Sequence, residues 1–229
     1  MFPVLLTLTC IPILAFLVWA SASIRSGVYL KAFCRARTAD KVVYLTFDDG
    51  PAGAETEAVL DVLKARGAVA TFFIVGKNVI GQEPLLRRIL AEGHSVGIHT
   101  FSHANTFPLY SKRLMVNDIA ECKSILDRLS GRDVRLFRPP FGVVNPTIAY
   151  AVKKLDLETV GWSIRSFDTR DYHQDDKSRN LVLDRIIRQL KPGSVILLHD
   201  RLPGESILVS RLLDLLDAAG YHYDMPLPM

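Results

Sequence analysis

The residues of this chain that can do chemistry stand where apolar runs end. Asp48 and Asp49 directly follow the apolar run 42–47 and precede Gly50-Pro51, which breaks the chain direction. Two carboxylates at the C-terminal edge of a strand suit an α/β rim, where loops converge over a rigid sheet and ligands bind. A solvated Asp-Gly turn is the plain alternative. His99-Thr100-Phe101-Ser102-His103 follows the short run 95–98. Histidines four apart share one face of a helical turn, which lets both imidazoles reach one metal ion. Two polar loop histidines would look the same in isolation. One aspartate with two histidines is, however, an open metal set that leaves positions for water and substrate. His199-Asp200 ends a third run, 195–198, and so reaches the same rim, while His94, His173 and His222 lack such placement and read as surface residues. Arg138 opens Arg138-Pro139-Pro140-Phe141-Gly142. Consecutive prolines fix the direction of that arginine and of the N–H groups after it. The plain alternative is a Pro-Gly loop with an exposed arginine, but a rigidly aimed Arg is also what holds a neighbouring carboxylate in one protonation state.

The elements that must position these residues alternate along the chain. Helical apolar spacing over 55–66 precedes a β-rich run at 69–75. A helix over 84–92 leads to the strand 95–98, and a long helix over 111–129 stops before Gly131. The rhythm continues with strand 134–137, helix 146–154, strand 158–162, helix 178–190, strand 195–198 and helix 206–219. This alternation without a long linker predicts one α/β, barrel-like domain of parallel strands with outer helices. The 229 residues, 49% hydrophobic and 23% charged, are enough for a sizeable core. A net charge of +4 scattered along the chain argues against a nucleic-acid partner, and three cysteines form no disulfide framework. Residues 2–20 carry no charge, which predicts a single-pass membrane segment within 1–24, an uncleaved anchor or a signal segment, followed by a basic linker over 25–40 and a catalytic domain over 41–229. Basic residues after the segment favour keeping the domain inside, so sequence leaves the side of the membrane open.

Taken in order, Thr46-Phe47-Asp48-Asp49-Gly50-Pro51, His99 to His103, Arg138 to Gly142 and Leu197-Leu198-His199 resemble the motifs of the polysaccharide deacetylase family, carbohydrate esterase family 4. The resemblance spans about 42–200 and implies a distorted (β/α)7 barrel that removes acetyl groups from N-acetylated sugars with one divalent metal. Asp49, His99 and His103 would hold the metal, zinc by preference with cobalt or nickel accommodated. Asp48 would be the general base, Arg138 its orienting partner and His199 the general acid. A backbone N–H near Phe141 would hold the oxyanion, and Trp162 with Leu197 would wall an acetyl pocket. The tract Trp162 to Thr169 departs from the family pattern: Arg165 stands where an acidic residue is common and Thr169 where a Trp is common. That leaves Asp168 as the candidate partner of His199. The resemblance further implies an acetylated glycan as partner. An O-acetyl esterase, or an inactive metal-containing glycan-binding protein, are the alternatives it leaves.

Overall fold

The computed structural model describes residues 2–170 and 175–225, with side chains from Ile11 onward. Eight strands, β1 (Val42–Asp48), β2 (Thr71–Ile74), β3 (Ser95–Ile98), β4 (Leu136–Phe137), β5 (Glu158–Thr159), β6 (Ile164–Arg165), β7 (Ser194–His199) and β8 (His222–Asp224), form one parallel sheet. Its order is β5-β4-β3-β2-β1-β7-β6, with β8 pairing β1 in addition. The helices are α1 (Phe2–Ala22), α2 (Ala54–Ala65), α3 (Gly76–Val79), α4 (Glu83–Ala91), α5 (Lys112–Ser130), α6 (Pro146–Lys154), α7 (Asp176–Gln189) and α8 (Glu205–Ala218). The six long helices read from apolar spacing lie within two residues of their expected ends, because each is punctuated locally. Ser111 caps α5 through the Leu114 N–H, Gly131 ends it at φ 67°, and Asn145 caps α6 with Pro146 behind it.

Strand alternation sorts the core into two layers. Val43, Leu45 and Phe47 of β1, with Phe72, Ile74, Ile98, Ile196 and Leu198, pack outward against Val59, Leu60 and Leu63 of α2 and Leu212 of α8. Val42, Tyr44, Phe73, Leu136, Val160 and Val195 fill the concave interior. With a period of two, Asp48, His199 and Leu197 fall on that interior face, at the C-terminal rim.

The sheet is a half-barrel. No pairing joins β5 to β6 among the described residues, and a segment ahead of β1 crosses the gap instead. Phe33 donates to Thr159 O at 2.8 Å and accepts from the Gly161 N–H at 2.9 Å, while the Ala36 N–H reaches Gly193 O at 2.9 Å. The stretch 25–40, expected as a linker, is therefore knitted to both sides of the opening.

The membrane expectation is corrected. The uncharged stretch is helical, but most of its first half lies outside the residues with described side chains. Among the described residues no helix is long and apolar enough to cross a membrane. Along that stretch the side chains of residues 11–19 are exposed. Its end is held by the domain: Ala20 is buried, and Ser21 O accepts from the Val144 N–H at 2.9 Å. The surface reading of His94 is also overturned. It is buried against Phe72, and its Nδ1 accepts the Ala70 N–H at 3.3 Å, a role that strand-end placement does not signal. His222 is exposed as expected, and His173 lies outside the described residues.

Candidate active site

The rim of the half-barrel brings together Asp48, Asp49, His99, His103, Arg138, Asp168 and His199. Asp48, last in β1, is buried and accepts from Arg138 Nη1 at 2.7 Å. Arg138 is itself fully buried, yet its donors are used: Nη1 also reaches Thr46 Oγ1 at 2.9 Å, Nη2 reaches Gly161 O at 2.8 Å and Nε reaches Val160 O at 3.1 Å. Its guanidinium lies over the Phe73 ring, 4.1 Å from the centroid. A buried charge pair is tolerable only when its remaining hydrogen-bonding capacity is met in this way. Thr46, which the sequence reading passed over, takes part because it lies one strand period before Asp48 and so faces the same interior.

Asp49, at φ 76°, turns out of β1 toward both histidines. Its Oδ1 lies 3.2 Å from His103 Nε2 and 3.5 Å from His99 Nε2, and the three ligand atoms lie within 4.8 Å of one another. His99 Nδ1 is 2.7 Å from Arg138 O. A carbonyl only accepts, so that ring nitrogen carries the proton and Nε2 is left as a metal donor. The donor set fits a divalent cation.

The helical-turn geometry expected for 99–103 is not what forms. Thr100 and His103 sit at φ 68° and 45°, and the loop is pinned by Asp118 of α5, which accepts from the Phe101 N–H at 2.8 Å, and by Thr100 Oγ1, which accepts from the His103 N–H at 3.1 Å. The imidazoles still converge, with ring centroids 4.9 Å apart. Left-handed backbone at Asp49, Thr100, His103 and Phe141 concentrates strain on this rim.

His199, the register partner of Asp48 on β7, places Nδ1 2.8 Å from Asp168 Oδ1. Burial works against the charged imidazole, but the Asp168 hydrogen bond, with the fields of Asp168, Asp48 and Asp49, outweighs it and raises the His199 pKa. Burial likewise opposes ionisation of Asp49. The fields of the facing histidines and the Arg201 hydrogen bond prevail there and bring it down to about 2. Burial lowers the His103 pKa, keeping that ring neutral as a ligand must be.

Arg165, at the departure from the family pattern, stacks on Phe167 and Trp162 and leaves Asp168 free to face His199. Phe141 stands edge-on to His103, with centroids 5.0 Å apart. Trp162 packs on Gly142, where any Cβ would run into the indole. Leu197 lies buried one strand period before His199.

Of two further participants, Asp200 was read only as the neighbour that reaches the rim with His199, and Arg201 was not read at all. Asp200 is buried under the Asp48-Asp49 loop, accepts from Thr56 Oγ1 at 2.6 Å, and is pushed up to about 7, chiefly by burial. Arg201 donates through Nε to Asp49 Oδ2 at 2.8 Å. Their signal was available, since both follow His199 at a strand end like the other site residues.

A family model, polysaccharide deacetylase, matches residues 35–160. A peptidoglycan-N-acetylglucosamine deacetylase of Bacillus cereus is 35% identical over 190 residues, covering 80% of this chain and 68% of its own length. A chitooligosaccharide deacetylase of Azorhizobium caulinodans is 36% identical over 162 residues, covering 70% and 74% respectively. The crystal structure of the Bc1960 peptidoglycan N-acetylglucosamine deacetylase superposes with a TM-score of 0.76 at 28% identity, over 91% of this chain and 93% of that one. A family model that matches more than half the chain, with relatives of this identity and coverage, places the chain in the polysaccharide deacetylase family.

Proposed function

We propose that the chain is a metal-dependent hydrolase that removes acetyl groups from N-acetylated amino sugars of a glycan or glycoconjugate. One observation carries this reading: the Asp49-His99-His103 set shares a rim with an Arg-held carboxylate, Asp48, and an Asp-held histidine, His199. A divalent cation held by Asp49, His99 and His103 supplies a Lewis acid that makes water a nucleophile near neutral pH, and the donor set suits zinc while accommodating cobalt or nickel. Asp48, which accepts from Arg138 Nη1 at 2.7 Å, takes the proton of the attacking water. The oxygen of the acetyl carbonyl, as it gains charge, is held by a backbone N–H near Phe141. His199, kept protonated by Asp168, gives its proton to the leaving nitrogen, because an amide nitrogen does not depart as an anion. Trp162 and Leu197 enclose the acetyl methyl. Residues 41–229 carry this chemistry, with the segment ahead of them completing the half-barrel.

A protonated histidine backed by a buried carboxylate favours amide over ester cleavage, since an alkoxide needs less help to leave. A mere binder would need neither Asp48 nor His199. Acetate release from matched N-acetylated and O-acetylated oligosaccharides, with and without chelator, tests the proposal. Chelator-sensitive release from the N-acetylated sugars is expected. Release only from esters, or from none with metal bound, would overturn it.

A further inference from the structure

The cleft beside the site carries two cations that a neutral sugar does not require. A cavity of about 360 Å³ opens next to Asp49, His103 and Phe141, and Lys77, Asn105 and Arg201 also line it. Arg201 is held by one edge: Nε donates to Asp49 Oδ2 at 2.8 Å, while its Nη1 and Nη2 groups make no hydrogen bond among the described residues and the side chain stays 46% exposed. A guanidinium anchored in this way keeps a fixed fork of donors at the mouth, which is the geometry that takes a carboxylate. Lys77 opens from α3, where its backbone N–H is fixed by Phe101 O at 3.0 Å, and its ammonium makes no ion pair among the described residues. The one acid lining this cavity, Asp49, is already shared with His99, His103 and Arg201. Asn105 adds a neutral amide. Exposed lysines and arginines are ordinary on a surface. Two that border one cleft, one of them clamped against a metal-binding residue, are a built positive rim.

We infer that Lys77 and Arg201 recognise an anionic group next to the acetamide, so that the substrate is an N-acetylated sugar carrying a carboxylate on the reacting ring or on its neighbour. The inference rests on the hydrolase reading for the acetamide, and on the rim alone for the charge. It is tested on the full chain with Asp48→Asn, which binds without turnover. Calorimetry would compare a neutral N-acetylglucosamine tetramer with two tetramers of equal length, one carrying an ether-linked carboxylate on the acetylated sugar and one with uronic acid as the neighbouring sugar. One charged tetramer should bind about fivefold more tightly at low salt, with the gap closing at high salt, and the better of the two locates the carboxylate. Adding Lys77→Gln or Arg201→Gln should each shrink the ratio of charged to neutral binding. Equal binding of all three tetramers, or a ratio that survives both substitutions, overturns the inference. Acetate release by the unmutated chain separates the two readings: release without charge preference sinks the rim and leaves the hydrolase. Charge-selective binding with no release from any tetramer supports the rim and sinks the hydrolase.

Discussion

Asp48 and Asp49 have the same side chain and adjacent positions, yet different partners decide what each can do. Asp48 is gripped by Arg138 at 2.7 Å, whereas Asp49 faces two imidazoles and Arg201. Asp49→Ala should therefore empty the site of its divalent metal, while Asp48→Asn should retain the metal and lose turnover by roughly 10²–10⁴-fold, the contribution typical of a general base. Metal content by atomic absorption beside acetate release distinguishes the two, and equal metal loss in both would refute the division. The His199-Asp168 pair makes a prediction in pH. The His199 pKa is raised, so the imidazolium needed by the leaving nitrogen is present at low pH and lost as pH rises through that raised value. Activity should consequently fall on an alkaline limb above the ordinary histidine value of ~6.5. Asp168→Asn removes the charge and leaves at most a neutral amide oxygen to accept from the imidazole, and should move that limb to lower pH. A limb that stays in place in the kcat profile would assign it to another group. The linkage has the same sign for stability: the pair's contribution is complete below ~6.5 and disappears above the folded value.

Arg138 ties β4 to β1, with two strands between them in the sheet order, across the interior. It leaves the end of β4, bonds the carbonyls of Val160 and Gly161 beyond β5, and reaches Asp48 and Thr46 on β1, where Thr46 in turn donates to Ile196 O of β7 at 2.6 Å. Arg138→Ala would leave Asp48 buried without its cation and two carbonyls without donors. A loss of about 3–5 kcal/mol is expected in urea unfolding, as for one partner removed from a buried ion pair. A loss under about 1 kcal/mol would mean that water enters and replaces the guanidinium. Much of this was legible at the level of elements. Polar residues at the ends of apolar runs marked the rim, because interior and exterior strand faces alternate and the loops after them converge. The His99–His103 pair was legible in its purpose and not in its shape. The spacing suggested a helical turn, but Asp118 from a helix seventeen positions beyond Phe101 and two left-handed residues set the backbone instead. Long-range contacts of that kind leave no period in the sequence. The same holds for buried His94 and for the two-residue strand β6.

At the scale of the whole molecule, the half-barrel has a gap that the sheet itself does not close. A segment resembling a basic linker fills it, because its apolar members face inward while its charges stay outside. Phe33 stands edge-on to Tyr44 with centroids 5.5 Å apart, and Ala36 packs against the same interior cluster, whereas Arg35 and Lys31 carry the charge. Phe33 thus pairs as a strand with the stretch after β5, and Arg35 bridges to Ser194 at the start of β7. The side chains of residues 11–19, by contrast, are exposed. Two truncations should therefore behave differently. Deleting residues 1–18 should leave unfolding of the domain nearly unchanged. Deleting 1–36 removes four backbone hydrogen bonds to the domain and a packed Phe, for a loss on the order of 4 kcal/mol. In a chain of this size that lowers Tm by roughly 10 °C, and the interior behind Arg138 opens to water on the side where Val160 and Gly161 O hold the guanidinium. Thermal unfolding of both truncations, read with acetate release at a temperature below either midpoint, checks this. If the longer deletion matched the shorter one in Tm, the segment would be a passive strap, and Arg138 alone would hold the gap.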